Sequence, residues 1–405
     1  MMRRLIVCFD GTWNTPDSGS NPTNVVKILR AIRNQAGGVS QIVFYDKGVG
    51  TGDAIDKLRG GALGAGLTAN VVDGYRFLGN NYDPGDQIFI FGFSRGAYTA
   101  RSLAGFIGLA GIIRPTMLGK GLRDALAIYR DIALDKDKKR QAVEDLNLDR
   151  YTDIPIACIG VWDTVGSLGV PGDLGPEIAK KYYFSDVQLS PLVNVALHAV
   201  AIDEKRSAFA PTLWVRKKGA ATPPNQKVEQ VWFPGVHSNV GGSYKDAGLS
   251  DTALDWMIKR VNALAGLEFD AQYIAQNIDS EPLGVGRESR SAPYFTSRVY
   301  PYQRLINQEI PEGTVIGDWF RKTFPRYDRR NIPKPELNVE TVKEMLHIAA
   351  LERWDKEVVH DDKERRYRPS NLEAAIRAQK AGRKIPVVGW DGEVIPDARV
   401  PWPVI

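Results

Sequence analysis

Short runs of β-branched and aromatic residues recur along the chain between Gly, Asp and Pro, at 5–9, 42–45, 88–91, 156–161, 195–201 and 228–233. They are apolar throughout instead of alternating, which is how strands buried on both faces of a sheet read. Helix-length patterns lie between several of them. Asn21-Pro22-Thr23-Asn24 reads as a helix start, with Val25, Ile28, Leu29 and Ile32 on one face. The spacing predicts further helices over 69–78 and 95–112. Alternation of strand and helix predicts an α/β fold with a mostly parallel central sheet and helices on both faces. No fixed period repeats, which excludes a solenoid.

Two regions break this rhythm. Residues 114–153 hold charged helical stretches and no good strand, and read as a helical insertion over the sheet that covers part of a pocket. After about residue 281 the chain becomes rich in Arg, Pro and Trp, with a helix predicted over 339–353 and a turn at Asp391-Gly392. The expected organisation is a catalytic domain over 1–280 and a C-terminal extension over 281–405, packed on it.

Composition narrows the class. At 405 residues with 43% hydrophobic and 25% charged content, the chain can bury a sizeable core, and disorder, collagen and coiled coils are excluded. Lys and Arg number 53 against 48 acids, and the basic residues are scattered among the acids, so nucleic acid is not an expected partner. The two cysteines, Cys8 and Cys158, sit in apolar runs and read as small buried hydrophobes. Uncharged apolar stretches such as Ser102 to Ile113 fall short of the roughly 20 residues of a bilayer span. MetMetArgArg precedes an apolar run too short for a signal-peptide core, so the expected location is cytoplasmic, with any export through an apparatus that needs no cleaved signal.

The chemistry concentrates at Gly92-Phe93-Ser94-Arg95-Gly96, a GxSxG run into which an apolar strand leads and out of which a helix pattern runs. That is the setting of a nucleophile elbow, where a strained turn exposes a serine oxygen and the helix start offers free N–H groups to an oxyanion. The Arg95 N–H is the natural first donor. The second is expected from the loop after the first strand, through the Gly11 or Thr12 amide, with Asp10 and Asn14 lining the site. A serine nucleophile needs a base oriented by a carboxylate. Of four histidines, His347 and His360 read as ordinary surface or interface residues and His198 as a satisfied core residue. His237, in the loop after the 228–233 strand, is the candidate base. Asp163, at the end of the 156–161 strand, is the candidate orienting carboxylate, with Asp203 and Asp251 as competitors. The order Ser94, Asp163, His237 is that of α/β-hydrolases. Asp10 alone invites a metal-assisted reading, and a silent elbow would leave a binding module. The serine chemistry itself requires no cofactor and no metal. Trp13, Phe93, Trp162, Phe209 and Trp232, beside these motifs, are candidates for an acyl pocket or for core packing.

Taken together, AspGlyThrTrpAsn, the segment around Ser94, ValTrpAspThrValGlySer, AlaIleAspGluLysArg with AlaPheAlaPro, and ProGlyValHisSerAsnValGlyGlySerTyr resemble the α/β-hydrolase domain of the type VI secretion phospholipase effector family over roughly residues 3–260, with a weaker echo at 367–372. The resemblance implies a serine esterase or phospholipase with Ser94, Asp163 and His237 as its triad, a lipid or other ester as substrate, and peripheral membrane contact. Arg206, Asp203 and Asn239 fall in its motifs as site-lining residues. The chain departs from the family's pattern at Asn239 and Ser243.

Overall fold

All six apolar runs are strands of one sheet. The structure, a computed structural model, describes residues 2–11, 21–48, 62–131, 133–165, 189–221, 223–289, 301–309 and 339–404. The sheet has nine strands: β1 (Arg3–Phe9), β2 (Gln35–Ala36), β3 (Val39–Asp46), β4 (Gln87–Phe93), β5 (Ile156–Trp162), β6 (Val193–Ala201), β7 (Lys227–Phe233), β8 (Glu344–His347) and β9 (Val387–Val388). Their spatial order is β9-β8-β7-β6-β5-β4-β1-β3-β2, and every neighbouring pair is parallel except β2 with β3.

The helices are α1 (Asn24–Ala31), α2 (Ala62–Asn81), α3 (Arg95–Ala110), α4 (Lys120–Arg130), α5 (Lys136–Asp145), α6 (His237–Gly241), α7 (Gly248–Ala265), α8 (Ala271–Asn277), α9 (Ile348–Arg353) and α10 (Ser370–Lys380). The two-residue period of β1 divides them between the faces. Leu5, Val7 and Phe9 pack with Val71 and Tyr75 of α2 and Leu103 and Phe106 of α3. Ile6 and Cys8 point the other way, toward Val25 and Ile28 of α1 and Leu254 and Val261 of α7. Each such fully buried apolar side chain contributes about 1.5–3 kcal/mol, so both faces of β1 are strongly specified.

From β1 the chain moves to β3 on one side, then α2 carries it back to β4 on the other. This reversal opens a crevice at the C-terminal ends of β1 and β4, where parallel sheets place their ligands.

Two expectations need correction. The insertion does not lie over that rim. Its helices bury Leu122, Ala125, Leu126 and Tyr129 against the later turns of α3, where the Tyr129 ring stands 5.4 Å from that of Phe106 and its hydroxyl donates to Ser102 O. The apolar stripe of α4 finds its partner there, two helical turns or more from Ser94. The helix expected over 339–353 is also mostly absent. Val339–Thr341 pairs with Val215–Lys217, Glu344–His347 is β8, and only Ile348–Arg353 is helical. Residues Gln230 to Trp232 of β7 offer an unpaired edge to Glu344, Met345 and Leu346. All four β8 residues are buried there, and this pairing outweighs local helix propensity.

The chain after residue 281 therefore extends the same sheet. Its side chains Leu346, Ile348, Leu351, Leu372, Ile376 and Val387 form a third apolar cluster with Val200 of β6 and Trp232 of β7. Among the described residues no helix is long and apolar enough to cross a membrane.

Candidate active site

Ser94 stands between β4 and α3 with φ 60° and ψ −122°, a conformation a non-glycine residue adopts only under constraint, at a cost of order 1–3 kcal/mol. Two glycines make the constraint possible. A Cβ on Gly92 would sit 2.4 Å from Gly96 O, and one on Gly96 would sit 2.2 Å from Phe9 O. Without them α3 could not close onto β4 and β1. The serine is held by its own N–H, which donates to Trp162 O, and by its carbonyl, which accepts from Tyr98 N. Its side chain caps nothing at the start of α3, so Oγ is left for other partners.

That partner is an imidazole 143 positions further on. His237 Nε2 lies 2.8 Å from Ser94 Oγ, and His237 Nδ1 lies 2.5 Å from Asp163 Oδ2. Ser94 follows β4, Asp163 follows β5 and His237 follows β7, so three strand ends on one rim bring the three side chains into line. All three are buried. The His237 ring is wedged between Phe93, 4.6 Å away, and Phe209, 4.8 Å away and edge-on. Its backbone N–H faces Glu204 Oε2.

Asp163 is itself tightly held. Its backbone φ is 39°, its N–H donates to Ala199 O, and its Oδ1 accepts from Ala201 N at 2.9 Å. The fully buried Arg304 guanidinium then donates to both oxygens, Nη1 to Oδ1 at 2.6 Å and Nη2 to Oδ2 at 2.9 Å. Burial alone would raise the Asp163 carboxyl, but the Arg304 charge and the hydrogen bond to His237 outweigh it and hold the group well below the usual carboxylate range. Directly behind, His198 Nε2 accepts from Thr164 N and its Nδ1 faces Gln230 Oε1, an arrangement that fits the neutral ring. Burial, with the Arg101 charge, lowers His198 to about 3.

The other candidates lie around this line in different roles. Asp203 accepts from Gly235 N and from the Tyr367 hydroxyl, and Asp251 accepts from Lys27 Nζ and Asp279 N. Neither is the carboxylate that meets His237. Arg206 pairs through two bonds with Glu204 and lies 3.6 Å over the Phe209 ring. Asn239 accepts from Val236 N and donates to Val285 O, bracing the turn that carries His237. Asp10 accepts from Gly11 N, the Thr23 hydroxyl and the Tyr45 hydroxyl. Among the described residues no three His, Cys, Asp or Glu side chains converge to hold a metal ion. The Gly11 N–H, a candidate oxyanion donor, is engaged by Asp10 Oδ1 at 2.7 Å. Thr12, Trp13 and Asn14 lie outside the described residues. Trp162 and Trp232 are fully buried in the core, and the Trp232 indole donates to Glu344.

Two residues in contact with this line were not singled out from the sequence. Glu204 stands inside the AspGluLysArg motif, between the chosen Asp203 and Arg206, so a signal for it existed. Arg304, in Tyr302-Gln303-Arg304-Leu305, carries no local mark at all.

Comparison with known proteins came to the same segment of the chain. The model of the type VI secretion system (T6SS) phospholipase effector Tle1-like catalytic domain matches residues 3–260. An uncharacterized Saccharomyces cerevisiae protein, YEL023C, is 30% identical over an alignment of 233 positions that covers 51% of this chain and 32% of that protein, so the chain spans about a third of that relative's length. The crystal structure of an uncharacterized Pseudomonas aeruginosa protein aligns with a TM-score of 0.40 at 18% identity, over 70% of this chain and 49% of the other.

Proposed function

The chain belongs to the T6SS phospholipase effector Tle1-like catalytic-domain family, a membership that suggests lipid ester hydrolysis, and from that premise we propose that it is a serine hydrolase of α/β-hydrolase fold. In this reading it cleaves carboxylic esters, with lipid or phospholipid esters as the natural class. The observation that carries the proposal is the unbroken line from Ser94 Oγ through His237 to Asp163, with contacts of 2.8 and 2.5 Å.

The geometry supports the following chemistry. Asp163, kept ionised, accepts from Nδ1–H and so leaves the Nε2 lone pair facing Ser94. As Oγ attacks the ester carbonyl, its proton passes to Nε2, and the carbonyl oxygen becomes an oxyanion beside the start of α3. The Arg95 N–H, in the first turn of that helix, is the first donor to it. The Gly11 N–H is already given to Asp10 Oδ1 and is not free to be the second donor. Collapse of the tetrahedral species expels the alcohol, which takes the proton from Nε2. Water then enters, its oxygen attacks the acyl carbonyl as its proton passes to Nε2, and collapse of this second tetrahedral species releases the acid while Nε2 returns the proton to Ser94 Oγ.

Ser94→Ala is expected to lower hydrolysis of a short p-nitrophenyl ester by about 10³-fold or more. A fluorophosphonate probe should label Ser94, and His237→Ala should abolish that labelling. Near-normal turnover by the alanine variant at Ser94 would remove the serine from the mechanism, and a well-folded protein that never takes the probe would favour a binding module. The family's effector role makes secretion to a target membrane the proposed setting, with the protein working at the lipid surface.

A further inference from the structure

The segment 301–309 comes from outside the matched 3–260, yet it delivers the guanidinium that closes the far end of the catalytic line. Arg304 is buried to 1% exposure. Besides the two bonds to Asp163, its Nη1 donates to Ala201 O at 2.7 Å and its Nη2 to Phe209 O at 2.6 Å. These four bonds span the end of β6, the loop that carries Phe209 and the Asp163 carboxylate. The segment is fixed in turn, since Tyr302 N donates to Lys205 O, Asn307 N donates to Glu344 Oε2, and Ile306 is fully buried in the third apolar cluster. The arginine is therefore held from both sides.

The carboxylate has no freedom left. Oδ1 is occupied by Ala201 N and Arg304 Nη1, and Oδ2 by Arg304 Nη2 and His237 Nδ1. Any rotation of the Asp163 side chain breaks the planar two-bond fork, whose geometry is specific in a way a single ammonium is not. We propose that Arg304 is a positioning residue for ester hydrolysis: by clamping both oxygens of Asp163 it fixes the tautomer and direction of His237, so that the C-terminal part of the chain completes the active site. This rests on the serine-hydrolase reading.

The local charges give the inference a signature in pH. Facing the Asp163–His237 pair are Arg304 from 301–309, His198 from β6, Glu204 and Arg206 from the loop after β6, and, further back, Arg101 from α3 beside His198. Glu204 and Arg206 compensate each other through two hydrogen bonds. Arg101 donates to Thr212 O and stacks on Trp214. Among the described residues Arg304 is the cation whose guanidinium bonds both carboxylate oxygens. A positive charge there opposes proton uptake by the pair, and its removal moves that uptake to higher pH.

The test uses the full chain, with Arg304→Gln, Arg304→Lys and Asp163→Asn, each checked for folding by near-ultraviolet circular dichroism. kcat/KM for p-nitrophenyl butyrate is measured across pH 5–9 beside the rate of fluorophosphonate labelling. Expected for Arg304→Gln is a fall of about 10- to 100-fold and an acid limb displaced upward by about one pH unit. Arg304→Lys should return most of the limb position, because it restores the charge, and little of the rate, because it lacks the fork. In the Asp163→Asn background, Arg304→Gln should cost nothing further, since its target is already gone.

A folded Arg304→Gln protein with the wild-type rate and limb would overturn the proposal, as would a rate loss with an unmoved limb, which is what a purely structural residue gives. Should Arg304→Gln not fold, a folded Arg304→Lys protein with the full wild-type rate would overturn it equally. If the wild-type chain itself shows no Ser94-dependent hydrolysis or labelling, the hydrolase reading fails and this inference goes with it.

Discussion

The two ends of the candidate catalytic line are built by opposite means. The serine end is backbone: β4, a glycine on either side of Ser94, and α3, all within one continuous stretch whose shape is set by what cannot fit. The carboxylate end is side chains: Asp163 from the end of β5, His198 from β6, Gln230 from β7 and Arg304 from far down the chain, held by charge and hydrogen bonds. A local device can be read from a few letters and repaired by few. A gathered device depends on every contributor at once, and each contributor looks ordinary where it stands in the sequence.

Four substitutions press on this contrast, from the largest effect to the smallest. Arg304→Leu leaves the Asp163 carboxylate buried without its cation, and chemical denaturation should register a loss of about 3–5 kcal/mol. Gly96→Ala puts a methyl 2.2 Å from Phe9 O, a backbone atom that cannot swing aside, so a loss of about 1–3 kcal/mol is expected together with lost labelling of Ser94. A stable and fully reactive alanine variant would mean that the elbow is more plastic than its packing implies.

His198→Gln tests the gathered end through pH. His198 is held to about 3, whereas an unfolded histidine takes up its proton near 6.5, so between those values the unfolded chain binds the extra proton and stability falls as pH drops. His347, also lowered to about 3 by burial and then by the Lys259 charge, behaves likewise. Denaturation at several pH values below 6.5 should therefore show the glutamine variant losing less stability than wild type, by about 1.4 kcal/mol per pH unit. Parallel curves would show that His198 is not the group responsible. At the small end, Asp255→Asn breaks an exposed i,i+4 pair with Lys259 on α7, and a change of no more than about 0.5 kcal/mol is expected.

What could be read from the letters alone follows the same division. The apolar runs of the parallel strands, the elbow, and the strand ends that carry Asp163 and His237 are local patterns, and each lies after the strand its pattern named, although His237 opens the short helix α6 and does not sit in a loop. The segment 339–353 reads as a helix because ValLysGluMetLeuHis suits one until an open strand edge is offered to it, and that edge belongs to residues more than a hundred positions earlier. The insertion carried its amphipathic stripe openly, but the stripe does not say which flank of α3 receives it. Arg304 was invisible for a simpler reason. The extension is rich in arginine, and only the folded chain distinguishes the one whose guanidinium is buried against Asp163.

The extension of the sheet by β8 and β9, with 301–309 laid across the end of β6, has a consequence for synthesis. A ribosome releases the polypeptide from its N-terminal end, so serine, carboxylate and imidazole all emerge well before the arginine and the two last strands. On the proposal made here, the newborn chain passes through a stage in which its hydrolytic residues are present but slack, and ester-cleaving power waits on the emergence of the arginine.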